Sequence, residues 1–172
     1  MVEGNRVVVG VSGSLGSLAA VYRAVEEARR RDALLVPLIA WTPGPTDDLR
    51  PLSELERSAR LLMDAAFEQA FGEYPEGIRI HPMVVRSEPG PALVAAASGE
   101  NDLLVVGSDG NGRPGHGLPH DVVKYCRDHA VCDMLVISQS ELLETLERAA
   151  RAHAPEAFSF ETHCHAGISY EN

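Results

Sequence analysis

Four short apolar runs constrain this chain more than any other feature: Val7 to Val11, Leu34 to Trp41, Leu103 to Val106 and Met134 to Ile137. Each is rich in Val, Ile or Leu and nearly unbroken. Strands buried on both faces have this character, because helices cover both sides of a parallel sheet. A fifth segment, Ile78 to Val85, alternates instead. Ile78, Ile80 and Val84 fall on one face, and Arg79, His81 and Val85 on the other. Pro82 inside it would delete a ladder hydrogen bond from a central strand, so this segment is expected at a sheet edge.

Helical patterns fill the gaps. Leu18, Val21, Tyr22, Val25 and Ala28 share one face after Ser14 or Ser17, either of which can serve as N-cap. A longer stripe runs through Leu52, Leu55, Ala59, Leu62, Met63, Ala66, Phe67 and Ala70 and is closed by Gly72. Ser87-Glu88-Pro89 opens a short helix through Leu93 to Ala97, with proline near the first turn. Val122, Val123 and Cys126 mark another helix beginning near His120. The order β-α-β-α-β-α-β-α-β predicts an α/β fold with right-handed crossovers.

The chain changes after Ser138. Ser138-Gln139-Ser140-Glu141 has capping-box spacing, and Leu142, Leu143, Leu146, Ala149 and Ala150 follow as a helical stripe. The expected divisions are a domain over 5–138, a C-terminal helix over 139–155 ended by Pro155, and an aperiodic flexible tail over 156–172. A length of 172 residues suits one domain with a modest extension.

Composition removes several classes of function. With 45% apolar and 23% charged residues a core can form without staples, and three scattered cysteines do not make a disulfide scaffold. Fifteen Lys and Arg against 25 Asp and Glu leave a net charge of -10, so no nucleic-acid partner is expected. Lys124 is the sole lysine, which reads as codon bias rather than as a phosphate-binding surface. No apolar run approaches the ~20 residues of a membrane span, so no membrane partner is expected. The start, Met1-Val2-Glu3-Gly4-Asn5-Arg6, lacks a signal-peptide pattern, and the expected location is the cytoplasm.

In an open α/β sheet, ligands bind beyond the carboxyl ends of the strands, where the strand order switches. Two segments suit that place. One is Gly10-Val11-Ser12-Gly13-Ser14 after the first strand. The other is the run from Gly107 to Gly117 after the fourth, with five glycines in eleven residues. Such loops leave backbone N–H groups unshielded and can curl into anion-binding nests ahead of a helix.

These residues carry a resemblance. Gly10-Val11-Ser12-Gly13-Ser14, followed by Ala19-Ala20 and Glu26-Glu27-Ala28-Arg29-Arg30-Arg31, resembles the start of a universal stress protein domain. Ala40-Trp41, Val105-Val106-Gly107-Ser108-Asp109-Gly110 and Cys132-Asp133-Met134-Leu135-Val136-Ile137 resemble later parts of that family. The resemblance covers roughly residues 5–138. It implies a five-stranded parallel sheet in the order 3-2-1-4-5 with helices on both faces, here followed by the C-terminal helix and tail. It also implies a stress-response role and, frequently, a homodimer.

The family has ATP-binding and non-binding branches. Binders resemble G-x-x-G, nine residues, then G-S or G-T. Gly107 and Gly110 match, but after Asn111 to Pro119 the expected G-S is His120-Asp121. The family's acidic residue at the end of strand 1 is Ser12 here. Carried over position by position, the candidate nucleotide contacts are Gly10, Ser12, Ala40, Gly107, Ser108, Asp109, Gly110, Asn111, Gly112, His120, Asp121 and Val122. The candidate ligands are ATP, AMP or adenosine.

The departures have a direction. Asp121 at a helix N-terminus is a good N-cap, yet a carboxylate about 5 Å from a phosphate charge costs roughly 3 kcal/mol at an effective dielectric near 20. That is about two decades of affinity. His120 replaces a glycine that would let backbone approach phosphate, and a helix N-terminus disfavours its protonation. Ser12 keeps one hydrogen bond for an adenine or ribose edge, weaker than a carboxylate's.

Other groupings are weaker. Ser12-Gly13-Ser14-Leu15-Gly16-Ser17 faintly resembles the PP-loop of ATP pyrophosphatases but lacks its second glycine and aspartate. His116, His120 and Asp121 could cluster for acid–base or metal chemistry, and His163-Cys164-His165 offers soft and imidazole ligands. Loop histidines without partners are usually solvated, and adjacent residues chelate one ion poorly. No metal motif and no catalytic residue are therefore assigned. Cys126 and Cys132 read as small core residues. The expectation is a non-enzymatic regulatory protein with a degenerate adenine-nucleotide cleft. A dimeric interaction module without nucleotide stands second, and a nucleotide hydrolase using His120 or Asp121 third. The apolar strand Met134 to Ile137, without Pro or Lys, should be a sheet edge that pairs with a second copy in a two-fold homodimer to which the helix after it contributes.

Overall fold

Each apolar run is shared out between two helical layers. Val7 and Val9 face one layer and Val8 the other; Leu35 and Ile39 oppose Val36 and Leu38; Leu103 and Val105 oppose Leu104 and Val106. The computed structural model describes residues 5–108 and 120–153. Its five strands, β1 (Arg6–Gly10), β2 (Leu34–Trp41), β3 (Met83–Arg86), β4 (Leu103–Ser108) and β5 (Asp133–Ser138), form one sheet in the order β3-β2-β1-β4-β5. All pairs are parallel.

One face carries α1 (Leu15–Arg31), α2 (Leu52–Phe71) and α5 (Gln139–His153); the other carries α3 (Pro89–Ala96) and α4 (His120–His129). The predicted fold class and strand order therefore hold. Ser14, not Ser17, caps α1: its hydroxyl oxygen accepts the Ser17 N–H at 3.1 Å. Gly72 closes α2 in the left-handed region, at φ 79°. At α5 the Glu141 carboxylate accepts the Ser138 N–H at 2.7 Å, the reciprocal half of a capping box. The helix beginning at His120 puts Asp121 inside the first turn rather than at the cap. Cys126 and Cys132 both pack in the second core cluster and are free thiols.

The edge segment is shorter than its alternation suggests. Only Met83–Arg86 is strand, and Ile80 adds an isolated bridge to Leu35. Ile78, Ile80 and Val84 do pack on one cluster and Val85 on the other. The break lies less in Pro82 than in Pro37, which the sequence reading passed over within its second run. The Leu35 N–H donates to the Arg79 carbonyl at 2.9 Å, and the His81 N–H to the Leu35 carbonyl at 2.8 Å. The bridge Leu35–Ile80 and the pair Leu38–Met83 keep one register, so Pro37 lies opposite Pro82. The next inward donor would be the N–H of residue 37, and proline has none. Pro82, one residue after His81, turns its nitrogen to the open edge, where a missing donor costs nothing. β1 likewise ends at Gly10, although the Val11 N–H still reaches the Leu38 carbonyl at 2.9 Å.

Two buried acids tie the ends of the elements. Asp102 takes the Arg6 guanidinium at 2.7 Å, the Arg6 N–H at 3.1 Å and the Gly99 N–H at 2.9 Å, joining the start of β1 to the turn before β4. Glu27 on α1 is buried beneath Arg23, Arg30 and Arg31. Burial alone would raise its carboxyl, but hydrogen bonds from Arg30 and Arg31 and the charges of Arg30 and Arg23 outweigh it and hold it below the ordinary value. Stability from a depressed carboxyl is present above the unfolded value and is lost as pH falls through the folded one. Glu27→Gln should therefore lower stability near neutral pH by on the order of 1 kcal/mol. Thermal melting across pH checks this: the gap to wild type should close as pH falls below 4.5, the ordinary glutamate value.

Candidate functional site

The β1–α1 turn is held by three serines. The Ser12 N–H donates to Ser17 Oγ at 2.9 Å, and the Ser12 hydroxyl donates to Ser14 Oγ at 3.2 Å. The Ser17 hydroxyl, buried with its residue, donates to the Gly10 carbonyl at 3.4 Å. The turn needs a glycine at residue 13, whose φ is 77° and whose absent Cβ would stand 3.0 Å from Leu62 Cδ1. Ser12 is thus fixed at the end of β1, with its proton committed to Ser14 and its oxygen able to accept.

Beyond the carboxyl ends of β1 and β2 lies a cavity of about 360 Å³. Its floor is Gly10, Val11 and Ser12 from β1 and the turn after it, with Leu38 to Thr42 at the end of β2. Leu55, Ser58, Ala59 and Leu62 of α2 form one wall, and Pro89 and Leu93 of α3 the other. Polar side chains are limited to the hydroxyls of Ser12, Thr42 and Ser58 and the indole of Trp41. Among the described residues no charged side chain lines it. Trp41 Nε1 is buried without a hydrogen-bond partner among the described residues, a cost of about 1–3 kcal/mol.

The structure brings together three of the expected contacts, Gly10, Ser12 and Ala40, in the cavity lining. Gly107 and Ser108 end β4 outside that lining. A Cβ on Gly107 would stand 2.3 Å from the carbonyl carbon and oxygen of Gly16, so this glycine serves the seating of α1 on the sheet. Val122 is buried in the core under α4. Asp109, Gly110, Asn111, Gly112 and His116 lie outside the described residues, as do the side chains of His120 and Asp121 and the whole 156–172 segment with His163, Cys164 and His165.

The sequence reading missed Trp41, Thr42, Leu55, Ser58 and Leu62 as wall residues. Leu55 and Leu62 belong to the α2 stripe that reads as core, and no sequence signal marks Trp41, Thr42 or Ser58. Burial, reinforced by the nearby Cys132, pushes the Cys126 thiol up to about 11, leaving it protonated at neutral pH and a poor nucleophile. Among the described residues there is no group of three or more His, Cys, Asp or Glu placed to hold a metal, and no helix long and apolar enough to cross a membrane.

This sheet order, with a cleft opening beside the serine turn, defines an open α/β module with a cavity at the carboxyl ends of its strands. Residues 4–138 match the universal stress protein family, and the chain belongs to that family. A universal stress protein of Mycolicibacterium smegmatis is 33% identical over 110 residues, covering 62% of this chain and 36% of its own length. One from Mycobacterium tuberculosis strain H37Rv is 36% identical over 113 residues, covering 62% of this chain and 35% of its own length. The chain therefore spans about a third of the length of these curated relatives. Among solved structures, the universal stress protein UspA of Lactobacillus plantarum has the same fold. It matches with TM-score 0.60 at 24% identity, over 80% of this chain and 99% of that one. An Arabidopsis thaliana family protein solved with AMP bound matches with TM-score 0.51 at 17% identity, over 78% of this chain and 91% of that one.

The Gly107 contact has a measurable consequence. Gly107→Ala drives a methyl into backbone that cannot swing aside and should cost at least about 2 kcal/mol, lowering the melting temperature by about 5 °C or more. Ser108→Ala, one residue on and half-buried, should stay within about 0.5 kcal/mol.

Proposed function

We propose that the protein is a non-enzymatic, stress-response regulator that binds an adenosine-type ligand in the cavity at the ends of β1 and β2. The observation that carries this reading is the cavity's chemistry. It sits where open α/β sheets bind ligands, its volume falls within the ~300–1,000 Å³ of small-molecule sites, and its walls are apolar with a few hydroxyls and no charge. Such a lining favours a flat, uncharged ring and a sugar over a polyphosphate. A family protein of like fold holds AMP, which makes an adenine ligand the natural first probe. Ser12, with a free acceptor oxygen, takes one donor of the base or ribose.

The resemblance assigns the phosphate end of a bound nucleotide to the glycine-rich run from Gly107 to Gly112 and to His120 and Asp121. There the sequence puts a carboxylate and an imidazole in place of a glycine and a hydroxyl. Adenosine is the preferred ligand, AMP follows, and ATP is disfavoured. The protein acts in the cytoplasm as a homodimer joined along residues 134–137. Support for that pairing is the position of β5 at the sheet edge, with Val136 37% exposed.

Titration calorimetry of the full chain with adenosine, AMP and ATP tests the ligand. His120→Gly with Asp121→Ser should raise ATP affinity by roughly 100-fold and leave adenosine unchanged. Low-micromolar ATP binding by wild type would overturn the electrostatic argument. No binding of any of the three by either protein would favour the second reading, a dimeric module whose partner contacts replace a ligand.

A further inference from the structure

The helix after the family domain leaves large apolar side chains uncovered. α5 follows directly on β5, outside the matched residues 4–138, and packs beside α1. Leu142 is buried there with Ile137. The next strip on the same helix is bare: Leu143 is 63% and Leu146 43% exposed, and Ala150, one turn on, is exposed as well. Spacings of three and four residues make these one continuous line. The helix lies on the face of the sheet that carries α1 and packs against β5, the edge strand.

We infer that this strip is an interface with α5 of a second copy of the chain, packed antiparallel across the two-fold axis that pairs the β5 edges. The inference rests on the strand pairing proposed above and adds to it a helix–helix seam. Area favours the addition. A six-residue strand edge about 20 Å long and about 10 Å deep covers roughly 200 Å², a quarter of the ~800 Å² per partner in a stable complex. A 15-residue helix adds a second contact about 22 Å long. Spacing permits it: helices pack about 8–10 Å apart, or two strand separations of about 4.8 Å, so helices beside β5 on both copies come within reach. Charge favours the antiparallel sense that a two-fold axis imposes. Glu141 and Glu144 lie in the first half of α5 and Arg148 and Arg151 in the second, where Glu147 pairs with Arg151 at 3.1 Å, so a net-negative half runs beside a net-positive one.

Sedimentation of the full chain over a concentration series tests this. Wild type should be a dimer at tens of micromolar. Leu143→Glu with Leu146→Glu should weaken it by at least about 100-fold. Because both side chains are largely exposed, circular dichroism should stay that of wild type. Should the charges unfold α5, Leu143→Ala with Leu146→Ala should still weaken the dimer by about 10-fold. A dimer indifferent to both pairs but broken by Val136→Lys would overturn the helix seam and leave strand pairing intact. A wild-type monomer at every concentration would overturn both. If the glutamates also lowered that monomer's melting temperature, the strip would belong to the chain's own segment after His153.

Discussion

The approach of Gly107 to the backbone of Gly16 and Ser17 decides where α1 sits, and most of the molecule is arranged around α1. With no side chain at the end of β4, the first turn of the helix drops onto the sheet between β1 and β4. That places the serine turn at the mouth of the strand-order switch and fixes Ser12 at the cavity floor. It also aligns the long buried face of α1, Ala20, Val21, Ala24, Val25 and Ala28, over the central strands. A hydrophobic face alone would allow several depths and tilts. The glycine contact selects one, in the way backbone close approach selects a helix position wherever a side chain is excluded.

Much of this was legible from the amino-acid order, and the reasons for success and failure are physical. Unbroken Val and Leu runs announce double-sided burial, so the central strands could be anticipated, while their order followed from the family resemblance. Pro37 was invisible as a ladder-breaker because its neighbours are as apolar as any central strand's. Only the register with Pro82 shows which side loses the bond. In α2, Leu55 and Leu62 read as core because a helical stripe records apolar faces without saying whether a protein atom or an empty space lies opposite. Ala40 and Ser12 were placed in the site by resemblance and do line the cavity. Val122 was placed there too and is a core residue.

The distribution of charge separates structure from recognition. The chain carries a net charge of -10, yet its buried acids are fully engaged in tying elements together: Asp102 with Arg6, and Glu27 with three arginines. None of these pairs reaches the cavity, whose lining carries no charge among the described residues. On the proposed reading, this lining would select the base and sugar by shape, hydroxyls and backbone, which salt barely affects, while the phosphates would answer to the charge of Asp121.

The facing prolines of β2 and β3 leave the edge strand fastened in two separate stretches, one at Ile80 and one at Met83 to Arg86. The upper stretch leads, within three residues, into Pro89 at the cavity wall. Exchange of backbone amides with solvent follows the cheapest local opening available to each rung. In the upper stretch the Met83 and Val85 amides point inward to β2, and their exchange is expected to follow a cheaper local opening than that of β1 and β4. The α3 wall of the cavity is thus joined to the sheet through its least-fastened strand, and the centre of the sheet does not depend on it.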